Sequence, residues 1–181
     1  AAGGRVVTAV HLERWTVTSG SNANSRAAVV IRGGTHDWKA SAEGNGPVDA
    51  LYRAVDRALA DLLDGGHPQL LGYDVHALEA GPSAEGRVTV VIAPPASAPE
   101  HRQAGRFTAE ASSTNTIQAS VEAYIEAIND MLATEPWAGA TVAAAQVAAE
   151  RRAQRRGGTT EAGGAEWDDD ARIDVNEWFN T

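Results

Sequence analysis

Two stretches carry the residue types best suited to holding a small charged molecule. The first is Glu43, Gly44, Asn45, Gly46, Pro47, Val48, Asp49, Ala50, and the second runs through Ser113, Thr114, Asn115, Thr116 and Ile117 to Tyr124. Each reads as a helix start, because proline is tolerated in a first helical turn and asparagine or threonine caps one. A helix start presents backbone N–H groups without intrahelical partners, and the dipole adds positive potential, so the N–H groups of 46–48, where Pro47 itself has none, and of 115–117 suit an anion. The glycines let such a group approach the backbone closely. The plainer alternative stays open at this level: a tight strand-to-helix turn whose neighbouring side chains are core.

Catalytic arrangements are poorly represented. His36 and Asp37 are adjacent, but in an alternating strand they point to opposite faces and read as a polar edge. Ser112, Ser113 and Thr114 have no nearby histidine to serve as a base. Asp168, Asp169 and Asp170 lack the regularly spaced oxygens and turn glycine of a calcium loop. The chain has no cysteine, which excludes disulfides, thiolate metal sites and cysteine nucleophiles. The expectation is therefore no catalytic residue, no metal and no cofactor. A net charge of -9, with Lys39 the only lysine, argues against nucleic acid as a partner. No stretch approaches the roughly 20 apolar residues of a membrane span. A soluble, cytoplasmic protein is expected, built as one compact domain with an extension.

The elements that position the two stretches follow from periodicity. Residues 11–18 mix β-branched and aromatic side chains, Ser19–Asn24 read as a turn, and 25–32 supply a second strand. Trp38, Ala40 and Ala42 alternate along a third strand. Val48, Leu51, Val55, Leu59 and Leu62 then recur at helical spacing, predicting a helix that ends near Gly65. Tyr52 and Arg53 are read as facing solvent or a partner subunit. After Gly65-Gly66-His67-Pro68 the pattern restarts. Leu71, Tyr73, Val75 and Ala77 alternate, Val88–Ile92 make another strand, Phe107, Ala109 and Ala111 a third, and Ile117 to Leu132 a helix. Laying Trp38 on Phe107 places Gly46 on Asn115 and Val48 on Ile117. Neither βββα unit has enough core alone, so the two must pack together.

The expected fold is α+β: two βββα units related by an internal pseudo-twofold, plus a C-terminal helical and flexible tail. Residues 1–7 form a linker, 8–66 the first unit, 67–133 the second, and 134–181 a helix, a linker and an acidic aromatic tail. That helix spans Ala138–Arg156. The tail carries Trp167, Asp168, Asp169, Asp170, Trp178 and Phe179, and reads either as disordered or as a docking segment.

The stretch Gly44-Asn45-Gly46-Pro47-Val48-Asp49-Ala50 closely resembles the signature opening the first helix of the regulatory domain shared by 2-isopropylmalate and citramalate synthases. Ser113-Thr114-Asn115-Thr116-Ile117-Gln118-Ala119-Ser120, followed by Ala123-Tyr124, resembles the second helix start of that family. Gly72-Tyr73-Asp74-Val75 resembles the strand opening its second unit. The resemblance covers about residues 8–132. It implies a homodimer that binds a branched-chain amino acid, leucine first among them, and thereby inhibits a distant catalytic synthase barrel or subunit. That barrel uses a metal held by an H-x-H pair, and none of the five histidines stands in that spacing.

For such an effector, the helix starts around Gly44, Asn45, Gly46, Pro47, Asn115, Thr116 and Ile117 would take the carboxylate. Asp49 or Asp74 would accept from the ammonium, and Ala50, Leu51, Ala54, Ala119 and Tyr124, with Tyr73 nearby, would line an apolar slot. A second expectation is a dimeric scaffold that binds a partner through its tail, without an effector.

Overall fold

The computed structural model describes residues 9–157. The readings made for 1–8, and for the linker and acidic aromatic segment in 158–181, lie outside the described residues. Strands β1 (His11–Gly20), β2 (Ala23–Gly33) and β3 (His36–Gly44) form an antiparallel meander, followed by helix α1 (Pro47–Ala58). Strands β4 (Gln69–Ala77), β5 (Gly86–Ala93) and β6 (Phe107–Ser113) form a second meander, followed by α2 (Thr116–Leu132). Helix α3 (Ala140–Gly157) completes the described chain. The architecture is the expected α+β pair of βββα units with a C-terminal helix.

The repeat is visible in register as well as in order. Each first strand carries an irregularity at the same place, between Leu12 and Arg14 in β1 and between Leu70 and Gly72 in β4. Just beyond it, Trp15 stands opposite Val29 and Tyr73 opposite Val90. The N-caps of α1 and α2 are Gly46 and Asn115, the pair that the overlay of Trp38 on Phe107 brings together.

One core joins the units. Val29 and Ile31 of β2, Val88, Val90 and Ile92 of β5, Leu51 and Val55 of α1, and Val121, Ile125 and Ile128 of α2 belong to a single buried cluster. Each helix packs on the second and third strands of its own sheet, and the helices touch each other. Tyr52 Oη donates to the Ser120 carbonyl at 2.9 Å, and one turn further along both helices Tyr124 Oη donates to Asp56 at 2.5 Å. The contacts advance together, so α1 and α2 run side by side in one direction with their amino ends at the same end of the molecule.

Three expectations need correction. Tyr52 does not face solvent: it is 8% exposed and stacks on Tyr124 with ring centroids 4.2 Å apart, because the helix seam falls on this face of α1. Arg53 is exposed, as read. Helix α1 stops at Ala58 rather than near Gly65. Leu59, Leu62 and Leu63 remain buried, but the chain tightens into turns, and Asp64 (φ 55) and Gly65 (φ 76) close the last one in the left-handed region. Periodicity reports which residues are buried, and here burial outlasts the helical hydrogen bonds. The first hairpin loop is also tighter than the Ser19–Asn24 cluster suggests, since Gly20 pairs with Ala23.

The chain beyond α2 contributes to the same core. Trp137 is 1% exposed, and Ala140 and Ala144 of α3 are buried with it. The Arg102 guanidinium lies 4.9 Å from the Trp137 ring centroid, donates to the Pro136 carbonyl and pairs with Asp64.

Candidate functional site

At the amino end of α1 the two glycines have different surroundings. A Cβ on Gly44 would fall 2.5 Å from both the Ala50 nitrogen and Asp49 Oδ2, so packing alone demands glycine there. Gly46 is extended (φ -159), and a Cβ on it would meet nothing within 4 Å. No side chain caps this helix end. Asp49 accepts from the Asn45 N–H at 2.9 Å and pairs with Arg53, and the Asn45 N–H is the chief reason that its carboxyl sits below the usual range.

The amino end of α2 is different. Asn115 Oδ1 accepts from the N–H groups of Ile117 and Gln118 at 3.1 and 3.3 Å, and the Asn115 N–H donates to Ser113 Oγ. The expectation of free donors across 115–117 is corrected to that extent: the Asn115 N–H is engaged by Ser113 and the Ile117 N–H by the asparagine cap, which an anion there would have to displace.

A cleft of about 650 Å³ runs along α1 from Asp49 to Arg57 and on to Ala60 just beyond it, between that helix, the end of β3 and the start of β4. Its wall combines the cations Arg53 and Arg57 and the carboxyls of Asp49 and Asp56 with apolar surface from Ala42, Pro68, Leu70, Tyr52 and Tyr124. Burial raises the Asp56 carboxyl to about 6, against the opposing pull of the Tyr124 hydroxyl that donates to it. Burial, then the Asp56 charge, holds Tyr124 well above the usual phenol value. Tyr73 Oη and Ser120 Oγ lie 2.8 Å apart, and the Tyr73 ring meets Tyr52 edge-on, so β4 is fastened to both helices near this cleft.

A sequence model described as the LeuA allosteric (dimerisation) domain matches residues 2–132. The chain belongs to that family. It is 32% identical over 130 residues to a 2-isopropylmalate synthase of Salinibacter ruber, covering 70% of this chain and 21% of the relative. Over 126 residues it is 33% identical to a Methanoculleus marisnigri protein named as an (R)-citramalate synthase, covering 70% of this chain and 23% of that protein. A 2-isopropylmalate synthase of Methylacidiphilum infernorum is 33% identical over 128 residues, 71% of this chain and 23% of the relative. The chain thus spans about a fifth of the length of these relatives. No helix among the described residues is long and apolar enough to cross a membrane.

The structure of this LeuA-type domain gathers some of the sequence-nominated residues and separates others. Asp49 and Tyr124 line the cleft. Ala50, Leu51, Ala54 and Ala119 are fully buried in the core. Asp74 stands opposite Thr89, while its neighbours Tyr73 and Val75 stand opposite the core residues Val90 and Val88, so Asp74 is on the outer face, paired with His76. Sequence reading missed Tyr52, Asp56, Arg57 and Leu70. The signal was available in part: Tyr52 and Asp56, like Asp49, Arg53 and Arg57, recur at i,i+4 and share a helix face.

Proposed function

We propose that this domain is a dimerising sensor for a branched-chain amino acid, leucine first, whose binding inhibits a synthase barrel of the 2-isopropylmalate type. Family membership and relatives named 2-isopropylmalate synthase support the class of enzyme that it serves. The observation that carries the ligand reading is the cleft beside α1. A zwitterion with an aliphatic side chain needs a cation or N–H donors, an acceptor and an apolar wall; the cleft supplies Arg53 and Arg57, the carboxyls of Asp49 and Asp56, and the apolar surface of Leu70, Pro68 and the tyrosines, and the uncapped start of α1 at Gly46 stands three positions before Asp49, where the cleft begins. Gly46 adds support. Neither its φ nor its surroundings require glycine, which fits a place where a ligand approaches the backbone.

The dimer reading draws on β4, where Leu70, Leu71, Tyr73 and Val75 are each 42–48% exposed, more apolar surface than one strand of a monomer usually shows. Feedback inhibition then requires the amino acid to bind two arrangements of the assembled enzyme unequally, a coupling of about 1–3 kcal/mol.

Calorimetric titration with leucine, isoleucine and valine tests the sensor. Saturable heat is expected, strongest with leucine, and lost in Gly46→Trp, which sets a bulky side chain at the start of α1 where a Cβ meets nothing within 4 Å. Silence with all three amino acids sinks the sensor and favours the effector-free scaffold.

A further inference from the structure

A second cleft, of about 570 Å³, lies between α3 and the β2–β3 turn with the start of β3. Its wall is basic in an otherwise acidic chain: Lys39 from β3, and Arg151, Arg152 and Arg155 from α3. The carboxylates at hand are already engaged, Asp37 by Arg32 at 2.8 Å and Asp61 by Arg151 at 2.9 Å. Lys39, Arg152 and Arg155 are exposed and form no ion pair among the described residues. Trp38 also lines this cleft, is 6% exposed, and its indole N–H is the only buried side-chain polar atom among the described residues without a hydrogen-bond partner. The cleft therefore offers more donors than acceptors: Asp37, the one carboxylate in its wall, is held by Arg32 and also feels Lys39, which leaves Arg152 and Arg155 without a carboxylate partner among the described residues.

The rest of the chain carries the complement. Residues 158–181 contain seven carboxylates and a single arginine, interleaved with Trp167, Trp178 and Phe179. They begin immediately after Gly157, two positions beyond Arg155. Returning from Gly157 to Arg151 means retracing about 9 Å of helix. Ten residues of random coil have a root-mean-square span of about 17 Å, more than the distance to be retraced, so the number of residues between Gly157 and Trp167 suffices for the reach. Tethering at that length corresponds to an effective concentration in the millimolar range, enough for weak ion pairs to hold. Carboxylates meet Arg152, Arg155 and Lys39, and a tryptophan finds guanidinium planes to stack on.

We infer that the acidic aromatic segment 158–181 docks onto this basic cleft of its own chain. The inference goes beyond the sensor reading and stands or falls separately from it.

The chain has no cysteine, so Asn180→Cys accepts a nitroxide at one place only in the full-length protein. At low ionic strength the label is expected to broaden the amide signals of Thr35–Lys39. That broadening should vanish at about 1 M salt, where the Debye length is near 3 Å, and in Arg152→Glu/Arg155→Glu. Should that double variant fold poorly, Asp168→Lys/Asp169→Lys/Asp170→Lys must abolish the broadening in its place. Broadening that is absent at low salt, survives either charge reversal, or centres on Leu70–Val75 overturns the proposal. Mixing spin-labelled chains with isotope-labelled, label-free chains gives the last test, since transfer of the broadening between chains would make the occupant a second copy.

Discussion

Gly44 and Gly46 stand two positions apart in one motif and answer to different demands. At Gly44 a methyl group would collide with backbone at 2.5 Å, whereas at Gly46 it would meet nothing. Gly44→Ala is expected to lower the unfolding free energy by about 2–3 kcal/mol, and Gly46→Ala to leave it within about 0.5 kcal/mol, both read from urea denaturation. Asp56 gives a pH-dependent prediction. Burial lifts its carboxyl to about 6, above the roughly 3.9 of an unfolded chain. The folded state therefore holds the proton more tightly, and this group costs stability as pH rises between those two values. Asp56→Asn keeps an acceptor for Tyr124 without the ionisation. Relative to that variant, the wild type should lose on the order of 3 kcal/mol across the window; parallel pH profiles would remove Asp56 from its assigned role.

Among the elements, α2 is fixed at both ends by asparagines. Asn115 caps its first turn, and Asn129 Oδ1 accepts from the Val10 N–H at 2.8 Å while its Nδ2 donates to the Val10 carbonyl at 2.7 Å. Val10 is 1% exposed, so removing Asn129 strands two buried backbone groups at the entry to β1. Asn115→Ala is expected to cost about 1 kcal/mol, and Asn129→Ala about 2 kcal/mol or more. Thermal denaturation of the two variants checks the order. The cap was legible as a residue type before a helix start. The Asn129 bridge was not, because it joins positions 119 apart and nothing local marks it.

For the whole molecule, the two sheets and two helices share one core, and Trp137 closes it from beyond the repeated units. Trp137→Ala is expected to cost about 3–5 kcal/mol, visible as a large fall in melting temperature. An effect near zero would make the segment after α2 an appendage. If leucine binds only the folded state, a concentration of 100 times the dissociation constant should add about 2.7 kcal/mol to stability. A melting temperature unmoved by leucine would argue against the sensor at this scale as calorimetric silence would at the scale of the site.

Apolar periodicity by itself determined the order of strands and helices, their duplication and the two helix starts, because each of these is local chemistry repeated along the chain. The overlay of Trp38 on Phe107 also placed Gly46 on Asn115, the two positions that open the helices. What only the tertiary structure decided is which side chains face each other: that Tyr52 belongs to the helix seam, that Asp56 is raised by burial beneath Tyr124, that Asp74 lies on an outer face, and that the Asn115 side chain takes the Ile117 N–H once offered to a ligand. Those outcomes depend on how one sheet-and-helix unit sits against its copy. Hydrogen-bond partners and burial are properties of that contact, and no stretch of sequence contains both of its sides.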